Sequence, residues 1–404
     1  GNVQQASKSF GKKVFEKIDE IKAEVKKNEA KGMSPMMDID SIAKMYIKLF
    51  EILMEETKSV SLALRPKPSA LNLKVSVSAV PGKDMANMFI ADNSSAKQNN
   101  LLGYLEDGAM MNVGFKTNSH LMEKINESRF KLLEILAGQT MDTEETEKIK
   151  TLTKDITDSL GGSGAFSFSI DPNNKPPFTI KYVVDVKDKD KFDKNIEKAT
   201  EIMTGGIMDF YKNMGIEMSF TMNRGTGSYK GVSIDSARLV MKSTEPNSPQ
   251  AQMINTMFGD GFNYRWGLVN GLWVCAVSNE ADSDIRKLID QAKTGTPQIS
   301  NEIKDALTLL PEAKKAEFMA TYNYLRLFKV MSAIMPIPMP QMDFQTTSNI
   351  VLAGRTENGK MIVDIVLPKE HLSEIMKAFQ TMQQQKMKMM QQSQGMTPQG
   401  SPMR

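Results

Sequence analysis

The sequence has few residues of the types that support catalysis or covalent cross-linking. A single cysteine, Cys275, excludes an intramolecular disulfide, and we expect its thiol to behave as a small core residue. Only two histidines occur, His120 and His371, and both fall at predicted helix starts, where we expect surface or capping roles. Because no catalytic constellation is present, the sequence predicts a protein that is not an enzyme, without a metal or cofactor.

Two further absences concern partners. The 51 basic and 48 acidic residues give a net charge of +3, which is too balanced to indicate a nucleic-acid partner. No run of about 18 apolar residues occurs, which excludes a transmembrane helix in this chain. The first residue is Gly1 rather than methionine, so a removed signal sequence and a lipid anchor upstream both stay open.

Glycine-rich segments occur without the residues that phosphate-binding loops need. The segments GGSG from Gly161 and GTGSYKG from Gly225 lack the lysine-serine ending of a nucleotide loop. They also lack the three spaced glycines between a strand and a helix that bind a dinucleotide. We therefore predict that both segments are turns.

The chain repeats one pattern three times: an aromatic-bearing helix, two alternating strands and a second helix. The helices that open the copies begin at Tyr46, Arg129 and Tyr324. The predicted strand pairs are 59–64 with 71–80, 165–170 with 178–186, and 349–352 with 360–367. The predicted closing helices cover 83–90, 191–203 and 369–379.

Further strands are predicted at 109–116, 217–222, 232–242, 264–269 and 272–278, with a helix at 282–292. Asn270 and Gly271 form the strongest hairpin signal in the chain. Strands such as the one with Val60, Leu62 and Leu64 alternate apolar with polar residues, which indicates one buried and one wet face. The predicted fold class is therefore α+β, with tandem related units of antiparallel sheet covered by helices on one face.

The predicted domain organisation follows these patterns along the chain. Residues 1–40 form an N-terminal amphipathic helix, and residues 383–404 form a Gln- and Met-rich tail that starts as a helix extension and ends disordered. Between them lie a partial first α+β unit at 41–100, a central unit at 101–298 and a third unit at 299–382.

Two groups of residues are candidate sites. Met387, Met389 and Met390 are the densest cluster among 32 methionines, and thioethers suit a soft metal ion, although methionine also fills cores and adaptable surfaces. Trp266 and Trp273 flank the Asn270–Gly271 hairpin. They are either a cross-strand packing pair or a binding face.

The repeated block, the segments LEDGA from Leu105 and LLPEA from Leu309, and the strand-to-helix segment VCAVSNEADSDIRKLI from Val274 carry a resemblance. Over residues 41 to 390 the chain resembles exported bacterial proteins of unknown function, often lipoproteins, built from duplicated α+β units. The resemblance implies a periplasmic or outer-membrane-associated location. It implies no functional residues.

Three functions stay open at this point. The first is a non-enzymatic binding or scaffolding protein of the bacterial cell envelope that uses a sheet face or a cleft between units. The second is a carrier of an apolar ligand such as a lipid, held between the sheet and Met-bearing helices. The third is a hydrolase with a dispersed carboxylate pair, which would require two inward-facing acids with raised pKa values in a cleft.

Overall fold

The computed structural model describes residues 54–89, 98–116, 143–203, 215–245, 261–328 and 346–394, except positions 172, 296 and 358. It also describes residue 47 and scattered positions between 208 and 259. The predicted N-terminal helix within 1–40, most of the helix from Tyr46, the helix from Arg129 and His120 lie outside the described residues.

The described elements are twelve strands and six α-helices, with two short 3₁₀ helices. The strands are β1 Thr57–Pro66, β2 Ala70–Ala79, β3 Met111–Lys116, β4 Leu160–Ile170, β5 Phe178–Val186, β6 Ile216–Tyr229, β7 Val232–Ser243, β8 Phe262–Val269, β9 Leu272–Val277, β10 Phe318–Tyr322, β11 Ile350–Glu357 and β12 Lys360–Pro368. The helices are α1 Asp84–Met88, α2 Thr143–Ser159, α3 Lys189–Met203, α4 Ala281–Thr294, α5 Asn301–Leu309 and α6 Lys369–Gln394. The 3₁₀ helices are Leu102–Tyr104 and Pro311–Lys315.

All twelve strands belong to one antiparallel sheet, in the order β1-β2-β12-β11-β10-β3-β4-β5-β9-β8-β7-β6. The mixed α+β class with an antiparallel sheet is therefore confirmed. Strands from the predicted first and third units are neighbours, because β2 pairs with β12. The predicted units thus contribute to one continuous sheet rather than to separate sheets.

Local sequence signals place the hairpins. Strand β5 has the predicted bounds, and β1, β2, β4, β11 and β12 each contain the predicted segments to within a residue. Asn270 and Gly271 have φ values of 51° and 80°, as a two-residue turn between β8 and β9 requires. Apolar alternation and such a turn are both local features of the sequence, so the hairpin can be predicted without knowledge of distant residues.

The prediction that both glycine-rich segments are turns is wrong for most of their residues. Gly161–Gly164 lie inside β4, where the pairing with β5 shifts register between Leu160 and Gly164. Gly225 and Gly227 lie inside β6, where a second shift occurs between Asn223 and Gly227. Glycine is common at such bulges, since the backbone there bends away from a regular ladder.

The expectation that helices cover one face of the sheet does not hold at β5, β8 and β9. Helix α4 packs on the face that contains Val183 and Val274, here called the α4 face, through Ile285 and Ile289. The other face contains Trp266 and Trp273 and is here called the tryptophan face. Helix α3 packs there, with the Phe192 ring centroid 5.6 Å from that of Trp273. The continuous apolar sequence of β9 explains this two-sided covering.

An apolar row crosses the tryptophan face through ten strands. Each residue of this row is the cross-strand partner of the next: Leu62, Val75, Val363, Gly354, Phe318, Phe115, Gly164, Val184, Trp273 and Leu268. The rings of Phe115 and Phe318 cover Gly164 and Gly354. The alternation of Val60, Leu62 and Leu64 predicts that this side of β1 is buried, but Leu62 is 69% exposed, because β1 is an edge strand of the sheet.

A row of polar side chains crosses the centre of the α4 face. Thr321, Asn112, Ser167 and Lys181 are successive cross-strand partners on β10, β3, β4 and β5. The Asn112 amide nitrogen donates to Thr321 Oγ1 at 3.3 Å, and Asn112 Oδ1 accepts from Ser167 Oγ at 2.6 Å. This polar row is buried and hydrogen-bonded, so it fixes the pairing of the four strands.

Helix α6 continues to Gln394, well into the segment 383–404 that was expected to end in disorder. Its sequence there is rich in glutamine, methionine and lysine, all of which favour helix. Among the described helices, none is long and apolar enough to span a membrane.

Replacing Gly354 by alanine is expected to lower the free energy of unfolding by about 1–3 kcal/mol. The added Cβ would lie 2.0 Å from Cε1 of Phe318, so the ring must move. Gly162→Ala in β4 is the matched control, because nothing lies within 4 Å of the Cβ position there. Urea denaturation of both variants checks this, and an equal effect of the two substitutions would contradict it.

Candidate functional site

Trp266 and Trp273, the only tryptophans of the chain, line one cleft on the tryptophan face. The cleft, here called the tryptophan cleft, lies between α3 and strands β6 to β9 and has a volume of about 520 Å³. Phe192 and Ile196 of α3 form its apolar wall, and Leu268 lies beside Trp273 as its cross-strand partner. A volume of this size is typical of small-molecule sites.

The two tryptophans reach the cleft from neighbouring strands. Trp266 is the partner of Cys275, and Trp273 is the partner of Leu268, so the two indoles lie diagonally on one face. Trp266 is 7% exposed. The indole Nε1 of Trp273 is buried and has no hydrogen-bond partner among the described residues. The sequence predicts that the two tryptophans are a cross-strand packing pair or a binding face. In the structure they pack beside residues of the neighbouring strands and also line the tryptophan cleft.

The bulge in β6 positions the charged side of the cleft. Arg224 lies within the bulge, between Asn223 and Gly227, and Asp235 lies opposite the bulge on β7. Asp235 accepts a short hydrogen bond from the Arg224 guanidinium and a second, of 2.7 Å, from the backbone N–H of Gly225. Gly225 and Thr226 thus lie outside the regular β6–β7 ladder, and the hydrogen bonds to Asp235 fix their orientation.

Helix α3 adds two more carboxylates to Arg224. The Nη2 atom of Arg224 lies 2.8 Å from Asp193 Oδ1 and 3.3 Å from Glu197 Oε1. Burial alone would lower the pKa of Arg224, but the hydrogen bonds to Asp235 and Asp193 outweigh it and raise the pKa above its ordinary value. Arg224 therefore stays charged and joins α3 to the sheet at the rim of the cleft.

The sequence does not predict that these charged residues meet, because they come from α3, β6 and β7. Asp193 and Glu197 are four residues apart on α3, a spacing that places both on one helix face. That spacing was visible in the sequence, whereas the bulge that presents Arg224 was not.

The methionine candidates lie on α6. Met387 is 58% exposed, and the side chains of Met389 and Met390 lie outside what the structure describes. In a helix, positions 387 and 390 share a face, but position 389 is turned away from them. The three positions therefore do not share one helix face. In the described part of the chain, no group of three or more His, Cys, Asp or Glu residues is placed to hold a metal ion.

Buried ionisable groups away from the tryptophan cleft hold the fold together. Lys181 Nζ lies 2.5 Å from Glu106 Oε1 and 3.5 Å from Asp284 Oδ1. Arg326 makes two contacts to the Glu302 carboxylate, of 2.7 and 3.2 Å. Each of these groups joins segments that are distant in the chain, as structural ion pairs do.

Two further groups with shifted pKa values bear on chemistry. Burial raises the pKa of the Cys275 thiol to about 12, so this thiol is unreactive at neutral pH. Burial also raises the pKa of Asp185, which accepts hydrogen bonds from the backbone of Gly162 and Ser163. Asp185 alternates with Val184 on β5 and so lies on the α4 face, away from the tryptophan cleft.

His371 is completely buried, which corrects the expectation of a surface or capping role. Its Nδ1 donates to the carbonyl oxygen of Ser348 at 2.6 Å, and its ring packs edge-on against Tyr324. Position 371 falls on the inner side of the first turn of α6, which a helix start alone does not reveal.

Comparison of the chain with protein-family models, with curated proteins and with solved structures finds no match.

We expect the pKa of His371 to lie below its ordinary value of 6.5, since burial disfavours the charged ring. The hydrogen bond to Ser348 and the nearby Glu374 oppose this shift, and Arg326 adds to it. The unfolded chain then binds a proton more readily than the folded chain, so stability falls as pH drops below 6.5.

Titration of the two imidazole signals by NMR, with His371→Gln for assignment, measures this pKa directly. Urea denaturation at pH 7.5 and 5.5 should show a larger loss of stability in the parent chain than in the variant. An imidazole pKa above 6.5 for His371 would contradict the prediction.

Proposed function

We propose that the chain is a non-enzymatic binding protein of the bacterial cell envelope, and that its ligand site is the tryptophan cleft. The observation that supports the proposal is that both tryptophans of the chain line the tryptophan cleft, whose volume is about 520 Å³. Aromatic walls with a few placed polar groups are typical of binding sites. The location in the envelope is supported only by the resemblance described for the sequence.

The arrangement of carboxylates favours binding over hydrolysis. Asp193, Glu197 and Asp235 all contact Arg224, so they are engaged in ion pairs rather than poised as an acid and a base. Asp185, whose pKa is raised, lies on the opposite face of the sheet.

Internal duplication is the second part of the proposal. The 3₁₀ helices Leu102–Tyr104 and Pro311–Lys315 precede β3 and β10, which pair with each other at the centre of the sheet. Phe115 on β3 covers Gly164 on β4, and Phe318 on β10 covers Gly354 on β11. The hairpins that follow, β4-β5 and β11-β12, each lead into a helix. These correspondences support two related units joined through β3 and β10.

A carrier of an apolar ligand is the second candidate function, and the apolar row favours it. Leu62 and Leu64 are 69% and 61% exposed at one end of the tryptophan face, and Val75 and Val363 beside them are half-buried. Helix α6 also exposes Met376 and Phe379. On the α4 face Ile285, Ile289 and Val274 are 0% exposed, so the more exposed row on the tryptophan face is the place for an acyl chain.

The neutral dye N-phenyl-1-naphthylamine tests the cleft. We expect saturable binding with energy transfer from tryptophan, because both donors line the site. Ser233→Phe should abolish binding by filling the cleft, which Ser233 lines. Ser219→Phe, at an exposed position of β6 outside the lining, is the matched control. Equal dye binding by the two variants would contradict the assignment of the site.

Palmitate tests the second candidate. The double variant Leu62→Ser and Leu64→Ser should bind palmitate about tenfold more weakly, since two apolar contacts are lost. Its stability should change by only about 0.5 kcal/mol, because both side chains are exposed. Ala63→Ser, on the other face of β1, is the control. Undiminished palmitate binding by the double variant, measured by calorimetry, would exclude this row as the site.

A further inference from the structure

The charged residues that line the tryptophan cleft are mostly acidic. Lys189 and Arg224 are the cations, and Asp190, Asp193, Glu197 and Asp235 are the carboxylates. Two positive and four negative charges leave a formal charge of −2. This local excess contrasts with the net charge of +3 of the whole chain. An anionic ligand would therefore meet repulsion at this site.

Arg224 does not offset this repulsion by binding an anion, because its guanidinium is already engaged. Its Nη1 donates to Asp235, and its Nη2 lies within 3.3 Å of carboxylate oxygens of Asp193 and Glu197. A further acceptor, the backbone carbonyl oxygen of Asp193, lies 3.2 Å from Nη2. The guanidinium group of Arg224 thus joins α3 to the sheet and is not available to bind an anionic ligand.

The Asp193 and Glu197 carboxylates of α3, in contrast, can accept further hydrogen bonds. The side chains of Asp193 and Glu197 are 51% and 60% exposed, and each shares the single cation Arg224 with Asp235. A carboxylate accepts about four hydrogen bonds, so each has room for a donor from a ligand. These two groups face the solvent at the mouth of the cleft.

The aromatic wall supplies the second half of a cation site. Cations bind over the faces of aromatic rings, and tryptophan binds them best. Trp266, Trp273 and Phe192 line the same cleft as the two exposed carboxylates. A ligand with a positive end and an apolar stem would satisfy both groups at once, whereas a neutral apolar ligand would leave the excess negative charge uncompensated.

We infer that the tryptophan cleft binds an organic cation, an ammonium or guanidinium group on an apolar stem, with its stem on Trp266 and Trp273 and its charge on the solvent-exposed side of the Asp193 and Glu197 carboxylates. The side chain of a lysine or arginine in a peptide has this chemistry, and so does a free polyamine. The inference rests on the proposed function and names the ligand class for that site.

Titration of the full chain with trilysine tests the inference, because both tryptophans report on the cleft by their fluorescence. Trilysine acetylated on its three side-chain amines is the matched neutral probe. We expect trilysine to bind about tenfold more tightly than the acetylated peptide. Raising the salt from 0.05 M to 0.5 M should weaken trilysine and leave the acetylated peptide unchanged. Spermine identifies the source: equal or tighter binding than trilysine indicates a polyamine, and weaker binding indicates a peptide.

Two double variants locate the charge. Asp193→Asn with Glu197→Gln should weaken trilysine binding about fivefold and weaken binding of the neutral dye less. Glu144→Gln with Glu147→Gln, two exposed carboxylates of α2 outside the lining, should leave both affinities unchanged. Dye binding also shows that each variant is folded.

Tighter or equal binding of the acetylated peptide would overturn the inference, as would trilysine binding that persists in Ser233→Phe. If the dye binds in the cleft and cations do not, the ligand class is wrong while the site stands. If neither binds there, the proposed function fails as well.

Discussion

The pairing of β3 with β10 is the constraint on which the rest of the sheet depends. These two strands come from distant parts of the chain and lie at the centre of the strand order. Asn112, which is 0% exposed, fixes their register, because its amide contacts Thr321 on β10, Ser167 on β4 and the backbone of Glu106. A slip of one residue would turn Val113 towards this polar row and the apolar row towards the wrong face. Such a slip would leave buried polar groups without partners, which is costly.

The tryptophan cleft follows from this register by way of β5 and β9. Val184 is the partner of Trp273, so the apolar row that begins at Leu62 on the edge strand β1 reaches Trp273 in the tryptophan cleft. The bulge in β6 then turns Arg224 towards α3, where it binds carboxylates from two elements. The irregularity in β6 thus places a cation at the rim of the tryptophan cleft.

Local signals were enough to predict most hairpins, and long-range pairing was not. Alternation of apolar residues and the Asn270–Gly271 turn identified β5, β8 and β9, because each depends on neighbours in sequence. Nothing local predicts that β12 lies beside β2. The glycine-rich segments predict turns although they form bulges, because glycine favours both. The exposure of Leu62 was missed because an edge position is a property of the strand order. Of the candidate site, the sequence identified the tryptophans, whereas Arg224 and its carboxylates meet only in the folded chain.

The neighbouring positions of β2 and β12 have a consequence for synthesis. Strand β2 is synthesised before β12, yet its inner edge is paired by β12. Until β12 is made, the inner hydrogen-bonding edge of β2 has no native partner, and the loop to be closed runs from Ala79 to Lys360. The sheet therefore cannot be completed before β12 has been synthesised, and until then the open edge of β2 is exposed to pairing with other chains.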